Sequence, residues 1–170
     1  AGPRAGHIFG FTRQGCDVYA RVIYGTQSSV MVGFIATLMV TIFGSIVGAL
    51  AGYYGGILDA ILSRVADIFF AIPTVLGAIV FMSVVPDRTP LVVALVIAVF
   101  AWPQIARIMR GAVLTAKQAD YVVASIALGV SRWRVLLRHV LPNAIAPVIA
   151  VATVSLGTFI VAEATLSFLG

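Results

Sequence analysis

Between Arg21 and Asp59 the chain carries no charged residue. A run of that length, apolar on every side, cannot be a surface helix of a water-soluble domain, which needs a polar face. Three further stretches are similarly apolar, so the cores run from Ser28 to Tyr54, Ile68 to Val85, about Leu91 to Ile108 (with Arg107 near its end), and Ala144 to Ala162. Each approaches the roughly 20 residues a helix needs to cross hydrocarbon. Strands of a membrane barrel would be about 10 residues long with alternating polarity. These runs do not alternate, and helices satisfy their own backbone groups in lipid. Composition agrees: 61% of residues are hydrophobic and 10% charged, against about a quarter charged in soluble domains. Mean hydropathy is +1.10. The expected fold is an all-α membrane protein, a polytopic helical bundle with at least four transmembrane helices, at about 28–54, 62–85, 90–112 and 142–168.

Pro73, Pro103 and Pro147 fall inside these spans. Neighbouring helices can satisfy the carbonyls a proline frees, so kinks are tolerated there; they could shape a pathway or only bend helices for packing. Gly44, Gly48 and Gly52 repeat every four residues and lay a smooth stripe on one helix face, suited to close helix packing.

Lys and Arg placement orients the bundle. Arg107, Arg110, Lys117, Arg132, Arg134 and Arg138 stand against the single acid Asp120, which assigns this loop to the cytoplasm. The Gly55–Arg64 turn then lies inside, while the Pro86–Pro90 turn and an extracytoplasmic segment 1–27 lie outside. Arg4, Arg13 and Arg21 count against this, but the opposite orientation puts four basic residues inside instead of seven.

The lone Cys16 has no partner for an internal disulfide, and His7 and His139 have no acidic or Cys neighbours at ligand spacing, so no metal site is expected. The chain starts at Ala1 without a signal-peptide pattern and stops at Gly170 just after an apolar run, which suggests a fragment of a longer membrane protein.

The loop of about 113–141 is the most informative stretch. Val122, Ile126, Val130, Trp133 and Leu137 recur at spacings of three and four, an apolar helical stripe. Gly129 suits the left-handed end of a first helix, Ser131 can cap a second, and Pro142 is placed to open the next span. Two short basic amphipathic helices between two spans could lie on anionic lipid or dock into a groove on a cytoplasmic protein. The Leu-Gly-Val-Ser turn also has a helix-turn-helix look, but both flanks are tied into the bilayer, so nucleic acid is not an expected partner.

The spacing of Ala124, Gly129, Leu141 and Pro142 resembles the EAA loop of binding-protein-dependent ABC importer permeases: Glu-Ala-Ala, three residues, Gly, nine residues, Ile-x-Leu-Pro. Other stretches resemble one branch, the second permease subunit of dipeptide, oligopeptide and nickel importers. These are His7 to Thr12 with Gly15 to Asp17, then Ile23-Tyr-Gly25 and Ala51 to Gly56. Asp59, Arg64, Asp67 and Pro73 follow, and the series ends in Ala162-Glu-Ala-Thr-Leu-Ser-Phe-Leu-Gly170. The resemblance covers nearly the whole chain. It implies a type I importer permease fold with a cytoplasmic two-helix coupling element, forming half of a translocation pathway for di- or oligopeptides. It also implies a heterodimer with a related permease subunit, two ATP-binding cassette ATPase subunits, and an extracytoplasmic substrate-binding protein. Docking of the ATPase is implied at Asp120, Val123, Ala124, Ser125, Gly129, Arg132, Arg134, Leu141 and Pro142, with Arg64 and Asp67 as a secondary facing pair. Val123 stands where the family has its glutamate, Ser125 replaces the second Ala, and His139 takes the Ile position. Ionic docking through that glutamate is absent, leaving shape, apolar packing and Asp120. Ile8, Phe11, Thr12 and Cys16 depart from the outer motif. The family has one span before and one after this region, as a fragment would lack.

No phosphate-binding loop exists in this sequence: the only lysine, Lys117, sits in Thr-Ala-Lys-Gln with no glycine correctly placed before it. The chain is therefore expected to be non-catalytic, with ATP and Mg held by partner subunits. Arg64 and Asp67, three apart on one helix face, suit a local ion pair. Glu163 lies 21 residues past Pro142, a rise of about 31 Å, near the outer interface, where a solvated or capping role is expected over a substrate contact. Gln104 and Thr158 could line a pathway or only pack. An ion-coupled secondary transporter or channel subunit is the alternative, but it would call for paired intramembrane acids or inverted repeats, which are not visible. A structural subunit whose basic loop binds lipid is a third reading.

Overall fold

A computed structural model describes residues 9–10, 12, 16–86 and 89–169. The described residues are almost all helical. In chain order the elements are α1 (Val18–Tyr54), α2 (Gly56–Phe70), α3 (Thr74–Val84), α4 (Pro90–Ala116), α5 (Asp120–Ala127) and α6 (Arg132–Val135). A π-helical turn (Leu136–Val140) then leads into α7 (Leu141–Leu169). His7, Arg4, Arg13 and Gly15 lie outside the described residues, as do Ile8 and Phe11.

The helix holding the first span is longer than the span itself. Asp17 caps it, its carboxylate accepting from the Tyr19 N–H at 3.0 Å, so residues 18–27, assigned above to an outer segment, are helical. At the other end Gly55 and Gly56 both take positive φ (67° and 59°), a turn that a Cβ would strain. Lys117, the residue that caps the end of α4, donates from its ammonium to the Gly52 carbonyl at 2.8 Å, placing a cation at the negative end of α1.

The second expected span is not one helix. α2 and α3 meet at a bend of 78°. Pro73 has no N–H to continue the ladder and disfavours the helical region for Ile72, so α2 stops and α3 starts again from Pro73. Among the described residues three helices are by themselves long and apolar enough to cross a membrane, or four spans if the bent pair counts as one. Pro103 and Pro147, by contrast, sit inside the unbroken helices α4 and α7.

Pro142 stands at the second position of α7, as expected, but no break in the helical path precedes it. From Arg132 to Phe168 the chain is one 37-residue helical stretch with Pro142 inside it. The π turn just before Pro142 widens the helix where the proline ring would otherwise meet a carbonyl of the previous turn, and the Leu141 N–H reaches back to the Leu136 carbonyl.

α4 is the centre of the bundle, with Ala94, Ile97, Ile105, Met109 and Val113 buried. The glycine stripe of α1 packs on it. A Cβ on Gly44 would lie 2.8 Å from the Ile105 Cβ, one on Gly48 would run into the Ala106 carbonyl, and one on Gly52 would lie 2.8 Å from the Arg110 carbonyl. Trp102 fills the junction of α1 and α2, edge-on to Phe43 and Phe69. Large apolar side chains such as Phe34, Ile42, Phe43 and Ile46 point outward from α1, as lipid or another apolar helix requires.

Candidate functional site

At the end of the bundle where α1 finishes and α4 runs out, the chain builds a short protrusion. α5 closes on a Schellman motif: Gly129 has φ +81°, its N–H bonds to the Ile126 carbonyl at 3.0 Å, and the Val130 N–H bonds to the Ser125 carbonyl at 3.2 Å. The left-handed glycine expected from sequence is present. Ser131 occupies the N-cap position of α6, as expected, but its side chain makes no capping bond.

The expected apolar stripe does not form one face. Val122 is fully buried, and Val130 packs on the core. Ile126, Trp133 and Leu137 are about half exposed, and the buried residues beyond the turn are Val135, Leu136 and Val140. The left-handed residue resets the helical phase, so a 3.6-residue period cannot be carried across Gly129.

The candidate docking residues divide accordingly. Asp120, Val123 and Ala124 are exposed on α5, while Ser125 is half-buried and donates its hydroxyl to the Tyr121 carbonyl at 2.7 Å. Arg132 and Arg134 project from α6. Leu141 is half-buried and Pro142 exposed at the start of α7. Tyr121 meets the ring of His139 edge-on at 6.4 Å, tying α5 to the π turn. The result is a surface carrying Tyr121, Val123, Ile126, Leu128, Trp133 and Leu137 beside two arginines, with Leu128 at its tip 85% exposed.

Arg64 and Asp67 lie apart from this surface, on α2, which packs mainly on α1 and α4. Their local pair is loose, at 3.9 Å. Asp67 instead accepts from Arg107 of α4 at 2.6 Å, and the Arg107 guanidinium lies 4.0 Å over the Phe70 ring. A second link is tighter: Arg110 Nε and Nη2 donate to the two oxygens of Asp59, each at 2.6 Å, and Ser63 donates to the same carboxylate at 3.1 Å. Beside these pairs is a cavity of about 420 Å3 floored by Gly48, Ala51 and Ala66. Sequence reasoning assigned Arg107 and Arg110 to loop charge and missed their partners. The available signal was two acids on one face of α2 and two arginines on one face of α4.

At the opposite end of the bundle, Glu163 is buried, 8% exposed, and its Oε2 has no hydrogen-bond partner among the described residues. The solvated or capping role expected for it is corrected by its packing: α7 turns this residue toward α1, α3 and α4. Cys16 is a free, exposed thiol.

Residues 44–170 match the family described as binding-protein-dependent transport system inner membrane component. Across 170 residues, 99% of this chain, it is 38% identical to a dipeptide transport system permease protein of Alkalihalophilus pseudofirmus, covering 55% of that protein. It is 34% identical over 169 residues to a glutathione transport system permease protein of Pectobacterium atrosepticum, covering 56% of it, and 36% identical to one of Escherichia coli, covering 55%. The chain thus spans little more than half the length of the curated relatives it matches. With its apolar spans, it is a multi-pass inner-membrane protein with the type I importer permease fold. The glycine stripe, the broken second span and the Gly129 turn all lie within the matched residues, and the chain belongs to the family of binding-protein-dependent transport system inner membrane components.

Proposed function

We propose that this chain is the core of a permease subunit of an ATP-driven importer of short peptides, forming half of its translocation pathway. The observation that carries the proposal is the α5–α6 protrusion: a rigid turn at Gly129 presenting exposed Leu128, Val123 and Trp133 beside Arg132 and Arg134. A monomer gains nothing by exposing such a set in water, whereas a groove on a partner would bury it. The partner is a separate ATPase subunit, present in two copies and holding the ATP and Mg; this chain's sequence has no loop for them. A related permease supplies the other half of the pathway, and an extracytoplasmic binding protein delivers the solute. The basic residues from Arg107 to Arg138 orient the protrusion to the cytoplasm. The names of the dipeptide and glutathione relatives support peptides as the solute class. Family membership leaves the ion-coupled alternative without support.

The test is co-purification of the full-length protein in detergent with the ATPase subunit expressed alongside it. Retention at low and moderate salt is expected; elution of the permease alone under both conditions would refute the docking role.

A further inference from the structure

At the end of the bundle away from α5, a cavity of about 440 Å3 opens between α1, α3, α4 and α7. Glu163 lines it, and its Oε2, shut off from solvent, has no hydrogen-bond partner among the described residues. A carboxylate in that position is costly unless a cation faces it. The rest of the wall is mixed: Ile79, Met82 and Leu166 are apolar, and Ser28 and Ser83 carry hydroxyls. Ser83 already donates its proton to the Val80 carbonyl at 2.7 Å, so its oxygen faces the neighbourhood as an acceptor.

We infer that Glu163, in this cavity, binds the ammonium group of a solute entering from the end of the bundle opposite α5. Three features select that chemistry. The volume is that of a small-molecule site, which runs from about 300 Å3 upward, and exceeds what a single side-chain contact fills. An ammonium has three donors and no acceptor, and this wall supplies one carboxylate and hydroxyl oxygens. A divalent cation asks for about six or more oxygens, usually with several carboxylates; among the described residues no three His, Cys, Asp or Glu side chains converge. The apolar wall fits the carbon body attached to the amine. The inference deepens the peptide reading, on which it rests for the identity of the solute, since a free peptide carries an ammonium at its amino end.

The experiment uses the assembled full-length complex in lipid nanodiscs, with thermal unfolding followed at constant ionic strength during titration with propylammonium chloride. N-propylacetamide serves as the uncharged control. Wild type is expected to gain several degrees with propylammonium and nothing with the amide. Glu163→Gln should need at least tenfold more propylammonium for the same shift, and Glu163→Asp should fall between. Equal responses of wild type and Glu163→Gln overturn the inference. So does a wild type that answers both compounds alike or neither, the last being the result if a partner subunit's side chain already occupies the carboxylate. Should Glu163→Gln fail to assemble, the wild-type contrast between amine and amide still decides. No transport is read, so failure here leaves the permease reading standing, and absent peptide uptake by wild type leaves this site standing.

Discussion

Gly129 and the Asp59–Arg110 pair are the two places where single side chains carry most weight. At φ +81° any L-residue other than glycine is strained, by about 1–2 kcal/mol, and a β-branched one fits worst. Gly129→Val is therefore expected to lower peptide uptake at least severalfold while ATP hydrolysis by the complex continues, measured side by side in proteoliposomes; undiminished uptake would refute the role of this turn. No Cβ clash is at stake, since the space around Gly129 is open, so any effect comes from the backbone. The bidentate Asp59–Arg110 contact is partly shielded, the two side chains being 18% and 38% exposed. Asp59→Asn should destabilise the protein more than the Asp59→Asn/Arg110→Gln double variant, because the single change leaves a half-buried guanidinium unpaired. The expected coupling is roughly 1 kcal/mol, between values for exposed and buried pairs, and a double-mutant cycle by thermal unfolding measures it. The Asp67–Arg107 pair, about half exposed on both sides, should give less.

Among the elements, the break between α2 and α3 is the main departure from a bundle of straight rods. Pro73→Ala restores an N–H and removes the ring, so residues 71–73 should become helical and join α2 to α3, and the amides of residues 73–76 should exchange with solvent at least tenfold more slowly. Unchanged exchange would mean that packing, rather than proline, sets the 78° bend. The existence of the spanning helices was legible because each holds a long apolar run, and the close packing of α1 because Gly44, Gly48 and Gly52 mark a smooth face, although not that α4 is what lies against it. Which proline would break its helix was not legible. Pro73, Pro103 and Pro147 have the same local chemistry, yet only the first ends its helix. Likewise the start of α1 at Val18 escaped a search for apolar runs, since a helix can continue past hydrocarbon wherever a cap such as Asp17 begins it. In the candidate site, the Gly129 turn was readable from its residue type, but the exposure of Ile126 and Trp133 depends on helical phase beyond the turn, and the partners of Arg107 and Arg110 depend on how α2 lies on α4.

For the molecule as a whole, the apolar tip at Leu128 separates a docking surface from a lipid anchor. Leu128→Asp places a charge on a side chain that already projects, so it should leave thermal stability within about 0.5 kcal/mol of wild type. ATPase retention should weaken at least tenfold; retained binding would remove Leu128 from the interface.

The unbroken path from Arg132 to Phe168 has a mechanical corollary. At about 1.5 Å per residue the rod is roughly 55 Å long, with its foot in the protrusion and Glu163 near its head. A stiff lever of that length converts a tilt of about 5° at the foot into a sideways swing of roughly 5 Å at the head. The π turn at Leu136–Val140, close to the fulcrum, is the one place along it where the helical repeat is already loosened.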